Sequence, residues 1–305
     1  MMMTRSKTKQ AQKQQLQTYS SMMSQHSFTL VPAGTLWSDS NKFPTASTTL
    51  NGLTAQHSRR SNSSQSAPDA CMRHLMKETA SLASFLPCQE SASIFVCAEE
   101  GSLNGMKIFI TGPSETPYAY GLFEFNAYFP QTYPQSAPSL KFLTTNNGRV
   151  RFNPNLYDTG YVCLSLLDTW SGSAEQRWQA GKSTLMQVLV SVQSIVLVDN
   201  PYFNEPGFDV GRSGGTHCAS ESYNRRVELD TVRHAILEPL KHPPQYAGLD
   251  KVVRAHFYLV QERIKRQVRV WADKATKDNQ QKGQEWEQLV KELDKELAKL
   301  TPPSI

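Results

Sequence analysis

The sequence predicts an α+β protein, in which a four-stranded antiparallel meander sheet packs against helices and further helices follow towards the C terminus. Two patterns carry this prediction. Short runs rich in aromatic and β-branched residues follow one another between residues 93 and 143, and turn signals such as Asn104-Gly105 and Gly112-Pro113 separate them. Helical periodicity dominates from Thr184 onward. The close spacing of the runs favours a meander over crossover connections.

The strand predictions rest on composition and on alternation. In the third run, Phe123, Phe125 and Ala127 fall on one face, which is typical of a strand with one side buried. The four predicted strands are Ser93–Ala98, Met106–Thr111, Tyr120–Phe129 and Leu140–Leu143.

Helices are predicted both before and after the sheet region in the sequence. One begins near Pro68, where proline suits a first helical turn. Another opens at Thr184, which forms a capping-box pattern with Gln187, and runs to Val198. Three C-terminal segments complete the prediction: Ser220 to Leu240, an apolar stripe from Leu249 to Trp271, and a two-heptad seam from Trp286 to Leu300.

Residues 1–66 are rich in Gln and Ser, and Asp39 is the sole acidic residue among them. No helical or strand period is sustained there, so we predict a disordered basic extension. The chain has a formal net charge of +5. Because much of this excess lies in the extension, nucleic-acid binding is disfavoured, although a basic nucleic-acid-binding module stays an alternative.

The cysteines have no spacing typical of a disulfide framework or a metal site. Their number is five, which is odd, and they are Cys71, Cys88, Cys97, Cys163 and Cys218. The polar N terminus lacks the apolar stretch of a signal peptide, and no apolar run is long enough for a bilayer. We therefore expect free thiols, a cytoplasmic or nuclear protein, no membrane contact and no cofactor.

The segment from Arg151 to Leu167 carries the candidate chemistry. Cys163 lies in a polar, irregular stretch after the predicted sheet, and Asn155 follows Pro154 eight residues earlier. A thiol can carry an acyl group, and a fixed amide N–H can stabilise a developing oxyanion. From spacing alone, however, a single cysteine is more often a small packing residue.

The region from Gly112 to Pro206 resembles the UBC fold of ubiquitin-conjugating (E2) enzymes. The resemblance is carried by ordered motifs at matching spacing: Gly112-Pro113, Pro117-Tyr118, Gly121-Leu122-Phe123, Phe129-Pro130, Tyr133-Pro134, Ala137-Pro138, Asn153-Pro154-Asn155, Gly160-x-x-Cys163-Leu164 and Asn200-Pro201. Tyr223-Asn224 and the segment 255–258 look like the large atypical members of the family, such as a giant BIR-containing one. The resemblance implies a UBC core over residues 67–245 and a C-terminal helical extension over 246–305.

The family mechanism maps onto three residues by this resemblance. Cys163 would accept ubiquitin, or a ubiquitin-like modifier, as a thioester from an E1 activating enzyme, and a substrate lysine would then attack. Asn155 would stabilise the oxyanion or hold the loop that does so. Glu205 lies near the position at which the family has an acidic residue that orients or deprotonates the incoming lysine. An E3 ligase is a possible further partner.

This sequence departs from the family pattern at three places. Asn153 replaces a histidine that is generally structural, so little loss is expected. Ser165 replaces an acidic residue, and residues 171–182 look like an insertion beside the mouth of the site. The insertion either gates the cleft or adds a contact. A non-catalytic UBC-like adaptor that binds ubiquitin or an E3 is the alternative function, but such variants usually lack the cysteine.

Overall fold

The computed structural model describes residues 18–37, 66–208, 214–245 and 248–303. Its strands are β1 (Phe28–Val31), β2 (Cys88–Gln89), β3 (Ala92–Glu99), β4 (Ser102–Thr111), β5 (Leu122–Tyr128) and β6 (Ser139–Phe142). Its helices are α1 (Ser66–Phe85), α2 (Leu185–Ser191), α3 (Gly214–Asp230), α4 (Glu238–Lys241), α5 (Leu249–Asp278) and α6 (Gln280–Leu297). π-Helical turns at Val192–Val196 and Thr231–Leu237 extend α2 and join α3 to α4.

The predicted α+β class is confirmed, and the four predicted strands are β3 to β6. They form an antiparallel meander in the order β3-β4-β5-β6. Two strands were not predicted. The short β2 pairs with the start of β3, and β1 pairs in parallel with Val96–Glu99 further along the same edge, opposite β4. The sheet is therefore larger than the predicted meander and not purely antiparallel.

The prediction that all of residues 1–66 lack regular structure is wrong for part of the extension. Residues 18–23 are helical and β1 lies in the sheet, while residues 1–17 and 38–65 lie outside the described residues. Tyr19, Met23 and Leu36 are buried in a hydrophobic cluster with the sheet. The order comes from pairing and burial contributed by distant residues, which a four-residue strand does not signal locally.

Helices cover both faces of the central strands. Ile94 and Val96 of β3 face a cluster that includes α1 and α2, whereas Phe95 and Cys97 face a second cluster that includes α5 and α6. As predicted for the third run, β5 alternates between buried and partly exposed residues. The first cluster lies on the side of the sheet that carries the candidate site.

The N terminus of α2 has the capping box that the sequence predicts. Thr184 accepts a hydrogen bond from Gln187 N, and the Gln187 side chain accepts one from Thr184 N, which completes the capping box. Glu78 of α1 also accepts from Leu185 N at 2.5 Å and from the Tyr133 hydroxyl. The start of α2 is thereby fixed to α1 and to the loop after β5.

The C-terminal hairpin of α5 and α6 is joined to α3 and α4 by a row of ion pairs. The pairs are Arg225 with Asp278, Arg233 with Glu285, and Lys241 with Glu292. Arg269 and Asp294 pair within the hairpin. These partly exposed pairs add little stability individually, but they show that many basic side chains of the body face carboxylates. No helix in the described ranges is both long and apolar enough to cross a membrane.

A fully buried histidine connects the N-terminal segment to α5. His256 Nδ1 lies 2.8 Å from the Tyr19 hydroxyl, and its Nε2 lies 3.1 Å from the carbonyl oxygen of Tyr120. The carbonyl can only accept, so we assign the ring proton to Nε2, and Nδ1 accepts from Tyr19. Burial lowers the pKa of His256 to about 4.

We expect the free energy of unfolding to fall as the pH drops from about 6.5 to about 4, because the unfolded chain binds a proton that the folded chain excludes from His256. The contribution is on the order of 3 kcal/mol. Urea denaturation at pH 7 and pH 4 should show a smaller loss for His256→Gln than for the unmodified chain. Equal losses in the two proteins would contradict the assignment.

Candidate active site

Cys163 lies in the loop between β6 and α2, at the floor of an open cleft of about 660 Å³. Its residue surface is only 3% exposed, yet it belongs to neither hydrophobic cluster, unlike Cys71 and Cys97. Cys163 is therefore recessed at a surface cleft and not packed inside the core. The cleft is lined by Asn155, Cys163, Leu164, Ser165, Leu166, Trp170, Glu175, Gln176, Gln179, Lys182, Ser183, Gln187, Ser191, Ile195 and Asn204.

Asn155 lies beside Cys163, as predicted. The Cys163 N–H donates to the Asn155 carbonyl at 2.9 Å, and Asn155 Nδ2 donates to the Cys163 carbonyl, also at 2.9 Å. This pair of bonds fixes the cysteine backbone against the Asn-Pro-Asn stretch. One of the two Nδ2 hydrogens is used in this way, which leaves the other available, and Asn155 itself lines the cleft.

Asn153 is fully buried, and its side chain holds the backbone of Asn155 in place. Its Oδ1 accepts from Asn155 N at 2.8 Å, while its Nδ2 donates to the Tyr118 hydroxyl at 3.0 Å and to the carbonyl of Val196 at 2.8 Å. The amide thus connects the site loop to the segment before β5 and to the end of the α2 helix. These are structural contacts, in line with the expectation for this position.

Thr169 is a site residue that the sequence patterns did not identify. Its hydroxyl accepts from Leu164 N at 2.9 Å and donates to the carbonyl of Val162 at 2.8 Å. Its own carbonyl lies 3.3 Å from Cys163 Sγ. The threonine therefore closes the loop after the cysteine, and its carbonyl orients the thiol. Asp168, in a left-handed conformation with φ 56°, forms the turn that brings Thr169 back.

Two charged side chains act on the thiol from outside the cleft. Burial raises the pKa of Cys163 above its ordinary value, the nearby Arg151 guanidinium opposes this, and the Glu205 carboxylate adds to it. Arg151 Nη2 lies 3.8 Å from Glu205 Oε2 and donates to the Pro154 carbonyl at 2.7 Å. Glu205 does not line the cleft, but its neighbour Asn204 does.

The segment 171–182 forms one wall of the cleft, as its position in the sequence predicted. Arg177 Nε pairs with Asp168 at 2.9 Å, and Ser165 Oγ donates to the Ser171 carbonyl at 3.3 Å. The indole of Trp178 donates to the Pro134 carbonyl at 2.8 Å. The wall is thus attached to the cysteine loop and to the loop after β5. Within the described ranges, no cluster of His, Cys, Asp and Glu side chains is arranged to hold a metal ion.

A comparison with protein families explains this arrangement. The family model for the ubiquitin-conjugating enzyme matches residues 74–231, just over half of the chain. The chain belongs to the ubiquitin-conjugating enzyme family. The match includes the meander, the Asn-Pro-Asn stretch, Cys163 and α2, which are the parts that the sequence motifs had indicated.

Individual members of the family are also similar to this chain. Probable ubiquitin-conjugating enzyme protein 17 of Caenorhabditis elegans is 46% identical over 209 residues, which are 68% of this chain and 28% of that protein. The human dual E2 ubiquitin-conjugating enzyme/E3 ubiquitin-protein ligase BIRC6 is 45% identical over 216 residues, 70% of this chain and 4% of that protein. The putative ubiquitin-conjugating enzyme E2 38 of Arabidopsis thaliana is 42% identical over 170 residues, 54% of this chain and 51% of that protein. The chain thus spans from 4% to about half of the length of these relatives, and the resemblance to large members is confirmed.

The charges around Cys163 predict how its reactivity responds to mutation. We expect Glu205→Gln to increase the rate of Cys163 alkylation by iodoacetamide at pH 7 by a few-fold, because removing the carboxylate lowers the thiol pKa and a full pKa unit gives tenfold more thiolate. The rate is read from the Cys163 peptide by mass spectrometry.

Glu287→Gln on α6 is the matched control, since that carboxylate is exposed and pairs with Lys291. A rate for Glu205→Gln that equals this control, or falls below it, would show that Glu205 does not act on the thiol.

Proposed function

We propose that this chain is an E2-type ubiquitin-conjugating enzyme that accepts ubiquitin from an activating enzyme as a thioester on Cys163 and transfers it to a substrate lysine. The observation that supports this most is a cysteine recessed in an open cleft and held by the backbone and side chain of Asn155. Cys97, which is packed in the second hydrophobic cluster, does not line this cleft. The family membership supports ubiquitin or a related modifier as the acyl group.

The thiol needs no strong activation for the first step. The incoming ubiquitin is already a thioester, so exchange to Cys163 breaks one C–S bond and forms another with little change in free energy. A raised pKa is compatible with this, since the proton of Cys163 can pass to the departing sulfur during the exchange. The recess also limits contact of the thioester with bulk water.

The second step is the attack of a lysine amine on the thioester carbonyl. A free lysine has a pKa of about 10.4, so only a small fraction is neutral at pH 7. The free Nδ2 hydrogen of Asn155 is suited to stabilise the oxyanion, while its bond to the Cys163 carbonyl keeps the loop in place. We propose that Glu205, which is partly exposed beside the cleft, orients the incoming ammonium.

The proposed partners follow from this reaction. They are ubiquitin or a related modifier, an activating enzyme, a substrate lysine and, where substrate choice demands it, an E3 ligase. The human relative is named a dual conjugating enzyme and ligase, which makes ligase-independent action a reasonable extension of the proposal. Free thiols of this kind suit a reducing compartment, and we propose a cytoplasmic or nuclear location.

A charging assay tests the first step. The chain is incubated with activating enzyme, ATP and ubiquitin and analysed without reductant. We expect a reductant-sensitive adduct that is absent from Cys163→Ala and retained in Cys97→Ala, because the latter thiol is packed in the core. If no adduct forms with ubiquitin or with any related modifier, the non-catalytic adaptor is the better interpretation.

The role of Asn155 predicts a separation of the two steps. We expect Asn155→Ala to be charged but to release ubiquitin to free lysine about 10²-fold more slowly, a loss comparable to that of one oxyanion donor. Single-turnover discharge after the activating enzyme has been stopped measures this rate. Charging that is lost while the residual adduct discharges normally would reverse the assignment.

A further inference from the structure

Arg151 and Glu205 form a loose ion pair beside the thiol, where the incoming lysine is proposed to bind. Arg151 Nη2 lies 3.8 Å from Glu205 Oε2, and the two side chains are 39% and 43% exposed. Ion pairs that are this open to water add little or no stability. Among the ion pairs of the described residues, neither side chain has a second partner. Another cation can therefore replace the guanidinium at Glu205 with little loss of stability.

The guanidinium of Arg151 does not depend on this ion pair for its position. Arg151 Nη2 donates to the Pro154 carbonyl at 2.7 Å, and the guanidinium carbon lies 4.4 Å from the ring centre of Tyr157. Because the backbone bond and the cation–π contact do not involve Glu205, both persist when the carboxylate binds another cation. Arg151 thus remains beside the site when a second cation arrives.

The backbone of Glu205 is held close to the site loop. The Glu205 N–H donates to the Tyr202 carbonyl at 3.3 Å. The neighbouring Asn204, which lines the cleft, donates through Nδ2 to the Ile195 carbonyl at 3.2 Å and to Asn153 Oδ1 at 3.4 Å. The carboxylate can therefore change its partner by a rotation of its own side chain, without a movement of the backbone.

We propose that Arg151 is a positioning residue for the acceptor lysine: its guanidinium occupies Glu205 until the lysine ammonium replaces it there, and then stays beside that ammonium. This inference rests on the proposed function, because it assumes that a lysine attacks a Cys163 thioester beside Glu205. It adds that the lysine meets a carboxylate and a fixed guanidinium together. The carboxylate attracts the ammonium, whereas the guanidinium opposes it and favours the neutral amine, which is the nucleophile.

The other charged and titratable groups around the pair do not reverse this balance. From α3, the guanidinium of Arg226 stacks on the ring of Tyr223 at 4.6 Å and donates to the Arg151 carbonyl at 3.4 Å. Burial raises the pKa of Tyr223, which faces both arginines and Glu205, and burial also raises the pKa of Tyr161, which faces the thiol. Both tyrosines are therefore neutral near pH 7, and two guanidiniums surround one carboxylate.

The proton balance of the transfer shows what the guanidinium contributes. The amine nitrogen forms a C–N bond with the thioester carbonyl carbon, and the C–S bond breaks with its electron pair on the sulfur of Cys163. The lysine ammonium loses two protons overall, one to solvent before the attack and one that ends on that sulfur. A cation held beside the ammonium favours the first loss. Without the charge of Arg151, the ammonium binds Glu205 more tightly but stays protonated and unreactive.

The test follows single-turnover discharge of the Cys163–ubiquitin thioester to free lysine at pH 7, per charged molecule, after the activating enzyme has been stopped. We expect Arg151→Gln to lower both the lysine concentration for half-maximal rate and the maximal rate, each about twofold to fivefold, the range of an exposed charge pair. Arg151→Lys keeps the charge and should restore most of both values. Arg151→Gln should lower the half-maximal concentration less in a Glu205→Gln chain, because no ion pair is left to exchange.

Hydroxylamine separates this role from a structural one. It is largely neutral at pH 7, so Arg151 has no charge to oppose, and it should discharge Arg151→Gln and the unmodified chain at equal rates. Arg269→Gln is the matched control, since Arg269 pairs with Asp294 at 3.6 Å within the helical hairpin of α5 and α6. It should alter none of these values.

Three results would overturn the inference and leave the proposed function standing. They are a half-maximal lysine concentration that Arg151→Gln leaves unchanged or raises, a loss of rate with hydroxylamine as large as that with lysine, and equal effects of Arg151→Gln and Arg269→Gln. A chain that forms no thioester at all would overturn both the inference and the proposed function.

Discussion

The buried side-chain amide of Asn153 is the constraint on which the candidate site depends. It bonds at once to the segment before β5, to the end of the α2 helix and to the backbone of Asn155. Leaving a buried polar group unpaired costs about 1–3 kcal/mol, so these three parts of the chain are held in one relative position. Asn155 then fixes Cys163, and Thr169 closes the loop behind the thiol. The cleft is thus built by polar contacts on the edge of an apolar core.

Much of the fold could be predicted because local patterns and burial agree. The alternation around Phe125 matches β5, and the Thr184 capping pattern matches the start of α2. β1 could not be predicted in this way. Phe28–Val31 is too short to stand out, and it is ordered by pairing with β3 and by burial of Tyr19 under α5. The two π-helical turns also leave no clear signal, since the apolar spacing of a helix with one extra residue resembles an ordinary helix.

The site was predictable only to the extent that motifs identified it. The resemblance placed Cys163 and Asn155 together, and residues 171–182 were described as an insertion beside the mouth of the site. In the structure Asn155 bonds to Cys163, and residues of 171–182 line the cleft. Spacing could not reveal Thr169, because its role arises from a turn at Asp168 that returns the chain to the thiol. Spacing also could not show that Arg151 lies near Glu205 and opposes the rise that Glu205 causes in the pKa of Cys163, since Arg151 and Glu205 are distant in sequence.

The covering of the sheet by helices on both faces has a consequence for recognition. A sheet with one solvated side offers a broad flat area to a second protein, but here the chain has already occupied that area with α5, α6 and its own N-terminal segment. Binding partners therefore contact the loops around the thiol and the exposed faces of the helices. Substitutions in surface loops such as 171–182 can therefore change which partners bind, without disturbing the apolar core that stabilises the fold.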